Sequence, residues 1–129
     1  MDYLYQDETR IIIGVLFDVY NGLGAGYREK YYEKCICIEA GKRNILYKRQ
    51  KCSDIIYKKQ KLGYNRLDIL FFDKILVELK VGSKLIKKDF DQINEYLKTL
   101  NLQIGLLVLY APSGVTIRRI ANIQPRGSA

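Results

Sequence analysis

Asp68-Ile69-Leu70-Phe71-Phe72-Asp73-Lys74-Ile75-Leu76-Val77-Glu78-Leu79-Lys80-Val81 is the stretch whose reading decides the fold. The apolar density from Tyr64 to Phe72 and from Ile75 to Val81 predicts two central strands joined as a hairpin around Asp73-Lys74. Side chains alternate along a strand, so Glu78 and Lys80 share one face while Val77, Leu79 and Val81 take the other. An acid and a base on one face of an otherwise apolar strand is unusual. Burying a charge is costly unless it is paired or binds a metal.

Loop length sets the register. With a Phe72-Asp73-Lys74 loop, Ile75 pairs with Phe71 and Glu78 falls opposite Asp68. A two-residue Asp73-Lys74 loop would put Asp68 on the wrong face, because a one-residue slip inverts a strand. Two carboxylates at cross-strand distance can chelate a hard divalent ion such as Mg²⁺. Lys80 could then orient or help deprotonate water, or stabilise charge on a phosphate in flight. The alternative is a structural ion-pair network within a sheet.

Outward from this hairpin, the chain reads as a succession of helices and strands. Ile12, Val15, Leu16 and Val19 recur at helical spacing, which predicts a helix over 6–22 with Gly22 and Gly24 as stop signals. Ile11, Ile13 and Phe17 make its other faces apolar too, so it is expected to be deeply buried or to pack against a second copy. A second helix is predicted over 27–40, with Glu29 in its first turn and Gly41 as C-cap. Two strands are expected within 44–61, broken near Lys51-Cys52-Ser53-Asp54. Phe90, Ile93, Leu97 and Leu100 fall on one face of a helix over 87–100. A strand follows over 103–110, then a turn at Pro112-Ser113-Gly114 and a last strand over 115–123. The order α-α-β-β-β-β-α-β-β predicts an α/β fold, a mixed sheet flanked by helices. It forms one domain over 1–123 with a flexible tail over 124–129.

Lys and Arg number 22 against 14 Asp and Glu, a formal net charge of +8. That balance favours an anionic partner such as nucleic acid, through counterion release. Lys58, Lys59 and Lys61, and Lys84, Lys87 and Lys88 after the central strand, are the candidate phosphate contacts; a solvated basic face is the alternative. The chain has no histidine, which excludes His-based triads and His metal ligands. Cys35, Cys37 and Cys52 form no paired CxxC, so free thiols in a reducing cytoplasm are expected. No signal peptide or membrane-spanning stretch is legible, so a cytoplasmic protein is expected. Among the 11 tyrosines, Tyr27, Tyr31 and Tyr32 are expected to pack the second helix on the sheet, with stacking on bases as the alternative.

Two more elements complete the pattern. Gly24-Ala25-Gly26 allows a tight turn into the helix that carries Glu29, and Gln92 and Tyr96 stand four apart on one helix face. The segment Gly26-Tyr27-Arg28-Glu29-Lys30-Tyr31-Tyr32 matches the signature of the GxxExxY proteins. Tyr64-Asn65-Arg66-Leu67-Asp68 with Ile75-Leu76-Val77-Glu78-Leu79-Lys80 resembles the core motif of the PD-(D/E)XK nuclease superfamily, to which the GxxExxY proteins are assigned. Leu67 replaces the motif's proline. Gln92 to Tyr96 is similar to the QxxxY element of RecB-like exonucleases.

The resemblance runs from about Thr9 to Ile120, and the order and spacing of the motifs make it specific. It implies a restriction-endonuclease-like fold, a Mg²⁺ or Mn²⁺ cofactor and hydrolysis of phosphodiester bonds, with DNA as the expected substrate. It also implies roles. Asp68, Glu78 and the Leu79 carbonyl become metal ligands, Glu29 an extra acid near the metal, and Lys80 the catalytic lysine. Gln92 and Tyr96 support the site or touch the nucleic acid. The competing reading is a catalytically inactive nucleic-acid-binding or oligomeric assembly module on the same fold.

Overall fold

The computed structural model describes residues 4–49, 52–66 and 69–122. Helix α1 (Gln6–Leu23) buries Ile12, Val15, Leu16 and Val19, the residues at helical spacing. Ile13 is half-buried against the core, whereas Ile11 and Phe17 are 46% and 41% exposed. The helix therefore buries one face only. It ends at Gly24, whose φ of 86° suits a residue without Cβ, and the Gly24 N–H donates to the Tyr20 carbonyl.

Helix α2 (Glu29–Lys42) begins at Glu29 rather than Tyr27 and runs through Gly41. The left-handed residue that closes it is Asn44 (φ 57°), after which the Ile45 N–H donates to the Ala40 carbonyl. Asparagine tolerates that conformation better than other residues with a side chain, so the glycine was not needed as the cap. Tyr32 is buried and its hydroxyl donates to the Gly24 carbonyl, but Tyr27 and Tyr31 are exposed rather than packed on the sheet.

The strands are β1 (Tyr47–Arg49), β2 (Cys52–Tyr57), β3 (Gln60–Arg66), β4 (Ile69–Phe71) and β5 (Ile75–Val81). Helix α3 (Lys87–Leu100) follows, then β6 (Ile104–Ala111) and β7 (Gly114–Ala121). Five of them make a sheet in the order β1-β4-β5-β6-β7. The β5–β6 pair is parallel, with α3 as its crossover, and the other pairs are antiparallel. The sheet is therefore mixed, as expected.

The expected strand over 64–72 is two strands. Residues 60–66 pair with β2 as a separate two-stranded ribbon, and only 69–71 join the main sheet. The cause is the turn at Lys58-Lys59, where both residues adopt positive φ (47° and 67°). A two-residue turn of that kind matches the twist of a hairpin, so it commits β3 to β2.

The β4–β5 register is Phe71↔Ile75, Leu70↔Leu76 and Ile69↔Val77. That is the register of a Phe72-Asp73-Lys74 loop, with Phe72 and Asp73 both left-handed. Alternation then sorts the sheet's side chains. Ile69, Phe71, Ile75, Val77, Leu79, Leu106, Val108 and Tyr110 pack with α1 and α2. Leu76 and Leu107 pack with Ile93, Tyr96 and Leu97 of α3 on the opposite face. Helices thus cover both faces, and two tyrosine hydroxyls tie α1 to β6: buried Tyr110 donates to the Leu16 carbonyl at 2.5 Å and half-buried Tyr20 to the Ala111 carbonyl.

Candidate active site

Strand β5 is buried along most of its length, and its buried charge is Glu78, only 3% exposed. By alternation Glu78 and Lys80 lie on the side of Leu76, facing α3. The Lys80 ammonium donates to Gln92 Oε1 of α3 at 2.7 Å, a short charge-assisted bond. Asp89, one turn earlier on α3, places an oxygen 3.9 Å from the same ammonium. Its other oxygen accepts the Ile86 N–H at 3.0 Å and so closes the start of α3. The helix that holds Lys80 is thus anchored by the same carboxylate that faces it.

Glu29 enters from the start of α2. Burial raises its carboxyl above the usual range, the Lys80 ammonium opposes that rise and Glu33 adds to it. Glu29 and Lys80 are therefore within electrostatic reach. Glu33, four residues on and on the same helix face, is buried and accepts from Arg49 Nε at 3.0 Å. Arg49 is thus engaged by a buried carboxylate. The nearby Cys37 thiol is pushed up by burial, with Arg49 lowering and Glu33 raising it.

The structure joins Lys80 to Gln92 directly, places Glu78 on the same strand face as Lys80, and puts Glu29, from the helix on the other face of the sheet, within electrostatic reach of Lys80. Tyr96 is buried beside Leu76, Ile93, Leu97 and Leu107. The Leu79 side chain is buried in the core on the opposite face. Asp68 and Leu67 lie outside the described residues. Lys84 and Lys88 are exposed, and Lys87 pairs with Asp91 at 2.8 Å. Lys58 and Lys59 form the exposed tip of the β2–β3 ribbon, and Lys61 pairs with Asp54 at 3.2 Å. Asp89 and Glu33 were not among the candidates read from sequence. Glu33 had a signal, its i,i+4 relation to Glu29. Asp89 had little, because Ile86 is no polar N-cap residue.

Among the described residues, no three His, Cys, Asp or Glu side chains form a metal-holding group. The donor chemistry nevertheless suits a hard divalent cation. Glu78 is a buried carboxylate and Glu29 a desolvated one, and oxygen donors of this kind are what Mg²⁺ and Mn²⁺ prefer. Among the described residues, no helix is long and apolar enough to cross a membrane.

This arrangement, a mixed sheet with an acid-and-lysine strand clamped between helices, has the architecture of a nuclease-type α/β domain. The family model of the PD-(D/E)XK nuclease superfamily matches residues 6–120, and the chain belongs to that superfamily. No curated protein matches the chain in sequence. Among solved structures, the crystal structure of SSO0001 is similar, with a TM-score of 0.52 and 16% identity over 85% of this chain. That likeness concerns the fold alone, and this chain spans 65% of the length of that one.

Proposed function

We propose that the protein is a Mg²⁺- or Mn²⁺-dependent nuclease that hydrolyses phosphodiester bonds in DNA, and that it is a GxxExxY-type member of its superfamily acting in the cytoplasm. The observation that carries this reading is the 2.7 Å bond that holds the Lys80 ammonium beside a buried Glu78 on the same strand face. Asp68, Glu78 and the Leu79 carbonyl would hold the metal, with Glu29 as a further acid. The β4–β5 register supports the pairing of the two strand acids, because Ile69↔Val77 leaves Asp68 and Glu78 as the next residues in line. A divalent cation there would supply an activated water and offset charge on the phosphate. Lys80, oriented by Gln92, would stabilise the developing charge at the attacked phosphate or hand a proton to and from water. Tyr96 would buttress α3 beneath Gln92, and Lys84, Lys87 and Lys88 would bind flanking phosphates.

The test is cleavage of labelled single- and double-stranded DNA and RNA with Mg²⁺, Mn²⁺ or chelator, using Lys80→Ala as control. The expected result is metal-dependent cleavage that falls by about 10²-fold or more in Lys80→Ala. Melting temperature should rise with the metal in both proteins, since Lys80 is not a ligand. Metal-independent melting together with no cleavage of any substrate would instead favour an inactive binding module. Self-association through α1 has its own supporting observation, the exposure of Ile11 and Phe17. Sedimentation of the wild type against Ile11→Ser/Phe17→Ser tests it, and a monomer in both samples excludes it.

A further inference from the structure

We infer that the β2–β3 ribbon is a wing that enters the major groove of duplex DNA, with Lys58 and Lys59 on the phosphates and Tyr57 against the groove wall. The inference rests on nucleic acid being the substrate and goes on to name its form. The ribbon is a sheet of its own, with no third strand on either edge among the described residues. A lone two-stranded hairpin is marginal without backing, and β2 has it from α3, the helix that carries Gln92. The ribbon is therefore backed by α3, while its Lys58-Lys59 turn is exposed.

The half that carries this turn does not have the composition of a solvated turn. Ile56, Tyr57 and Leu62 are 56%, 58% and 68% exposed, with Leu62 at a bulge between the strands. Three large apolar side chains are thus left exposed around one tip, with Ile56 and Tyr57 on opposite faces of the ribbon by strand alternation. The same tip is cationic. Lys61 is balanced by Asp54, whereas neither tip lysine enters an ion pair among the described residues; Lys58 lies 5.3 Å from the Tyr57 ring centre. Positive φ at both tip residues keeps the turn to two residues, so both ammonium groups sit at the very end.

An occupant must then be anionic and also offer apolar contact, which phosphates bordering thymine methyls and base edges provide. The major groove of B-form DNA, about 12 Å wide, admits a two-stranded ribbon. The major groove of A-form RNA is too narrow to read, and a single strand has no groove. The ribbon thus fits duplex DNA over the alternatives.

The experiment measures binding of the whole protein, in chelator to prevent cleavage, to a fluorescent DNA duplex, an RNA duplex of the same sequence and the single DNA strand. Wild type, Lys58→Gln/Lys59→Gln and Tyr57→Ser are compared across salt. Losing two phosphate contacts should lower the slope of log K against log salt by about 1.8, a loss of roughly 30-fold on the DNA duplex near 0.15 M salt. Tyr57→Ser should weaken duplex DNA binding without changing the slope. Both effects should be small on RNA and on single strands. Unchanged duplex DNA binding in both variants would overturn the wing and leave the nuclease reading standing, as would equal losses on all three probes. A wild type that binds none of the probes would remove both. If Tyr57→Ser fails to fold, the lysine pair decides, since both side chains are exposed.

Discussion

Replacing Gln92 by Ala removes the partner of Lys80, and the structure allows the cost to be worked out. The bond is 2.7 Å from a charged donor to a neutral acceptor, and the Lys80 side chain is 28% exposed. A hydrogen bond to a charged group contributes about 1.5–3 kcal/mol, and partial exposure sets this one near the lower end, about 1–2 kcal/mol. By the same arithmetic the held rotamer of Lys80 loses about 5- to 30-fold in population. Without the amide, the ammonium has Asp89 at 3.9 Å and the field of Glu29 to turn towards. Urea denaturation should therefore show a stability loss of about 1–2 kcal/mol with an unchanged m-value. In the proposed enzyme, kcat should fall at least 5-fold with little change in KM, because the lost contact acts on the reacting phosphate rather than on substrate binding. Gln92→Glu keeps the reach and should retain stability near neutral pH, yet still slow catalysis, because a carboxylate partner holds the lysine proton more tightly. A Gln92→Ala protein with the wild-type urea midpoint and wild-type kcat would refute the claim that this bond positions Lys80.

Three further outcomes are expected. Lys74, by its hydrogen bond, holds the Glu8 carboxyl below its usual range. A carboxylate lowered on folding stabilises above its ordinary pKa and loses that contribution as pH falls through the folded value. The melting temperatures of wild type and Glu8→Gln should therefore differ near pH 7 and converge as pH falls below the usual carboxylate range. Gly105 lies where α3 crosses β6, and a Cβ there would sit 2.9 Å from Ile93 Cδ1 and 3.3 Å from both Ile93 Cγ1 and Leu97 Cδ2. Gly105→Val should cost about 1–3 kcal/mol in urea titrations and be less than additive with Gln92→Ala, since both act through the seat of α3. Arg49→Ala takes the guanidinium from buried Glu33 and should cost about 1–3 kcal/mol, with part of the loss recovered in Glu33→Gln/Arg49→Ala; equal stability of the single and double variants in thermal melts would count against the pair.

The elements legible in the sequence were those with a strong period or a short loop. Helix α3 spans 87–100 as its apolar spacing predicts, and the hairpin register follows from one loop length and strand alternation. The split between β3 and β4 was not legible, because it depends on two consecutive lysines adopting positive φ. Lysine carries none of the glycine or asparagine signal that marks such a turn. Gly41 misled for the converse reason: it is permissive for a cap, but Asn44 took that role. At the candidate site, Glu78, Lys80 and Gln92 stood out because each breaks an apolar pattern or repeats at helical spacing. Glu33 and Asp89 did not, since what they do depends on how α2, β1 and α3 are brought together. Asp68 lies outside the described residues, so its place in the site is part of the proposal.

The charges around Lys80 run against those of the chain. Basic residues outnumber acidic ones by 22 to 14 overall, yet Lys80 shares its strand face with Glu78, lies in the field of Glu29 and has Asp89 at 3.9 Å. Arg49 does not redress this, because it is engaged with Glu33. Burying a carboxylate costs free energy unless it is paired, protonated or bound to a metal. An acidic excess can be relieved by a proton or by a metal cation; the upward shift of Glu29 comes first from its burial, with Lys80 opposing it and Glu33 adding to it. A divalent cation would relieve it more fully. The surplus of lysine and arginine elsewhere would then draw in a polyanion whose phosphates that cation could engage. A basic exterior around an acidic centre is thus the charge distribution that the proposed chemistry requires, and a structural network alone gives no reason for the two to occur together.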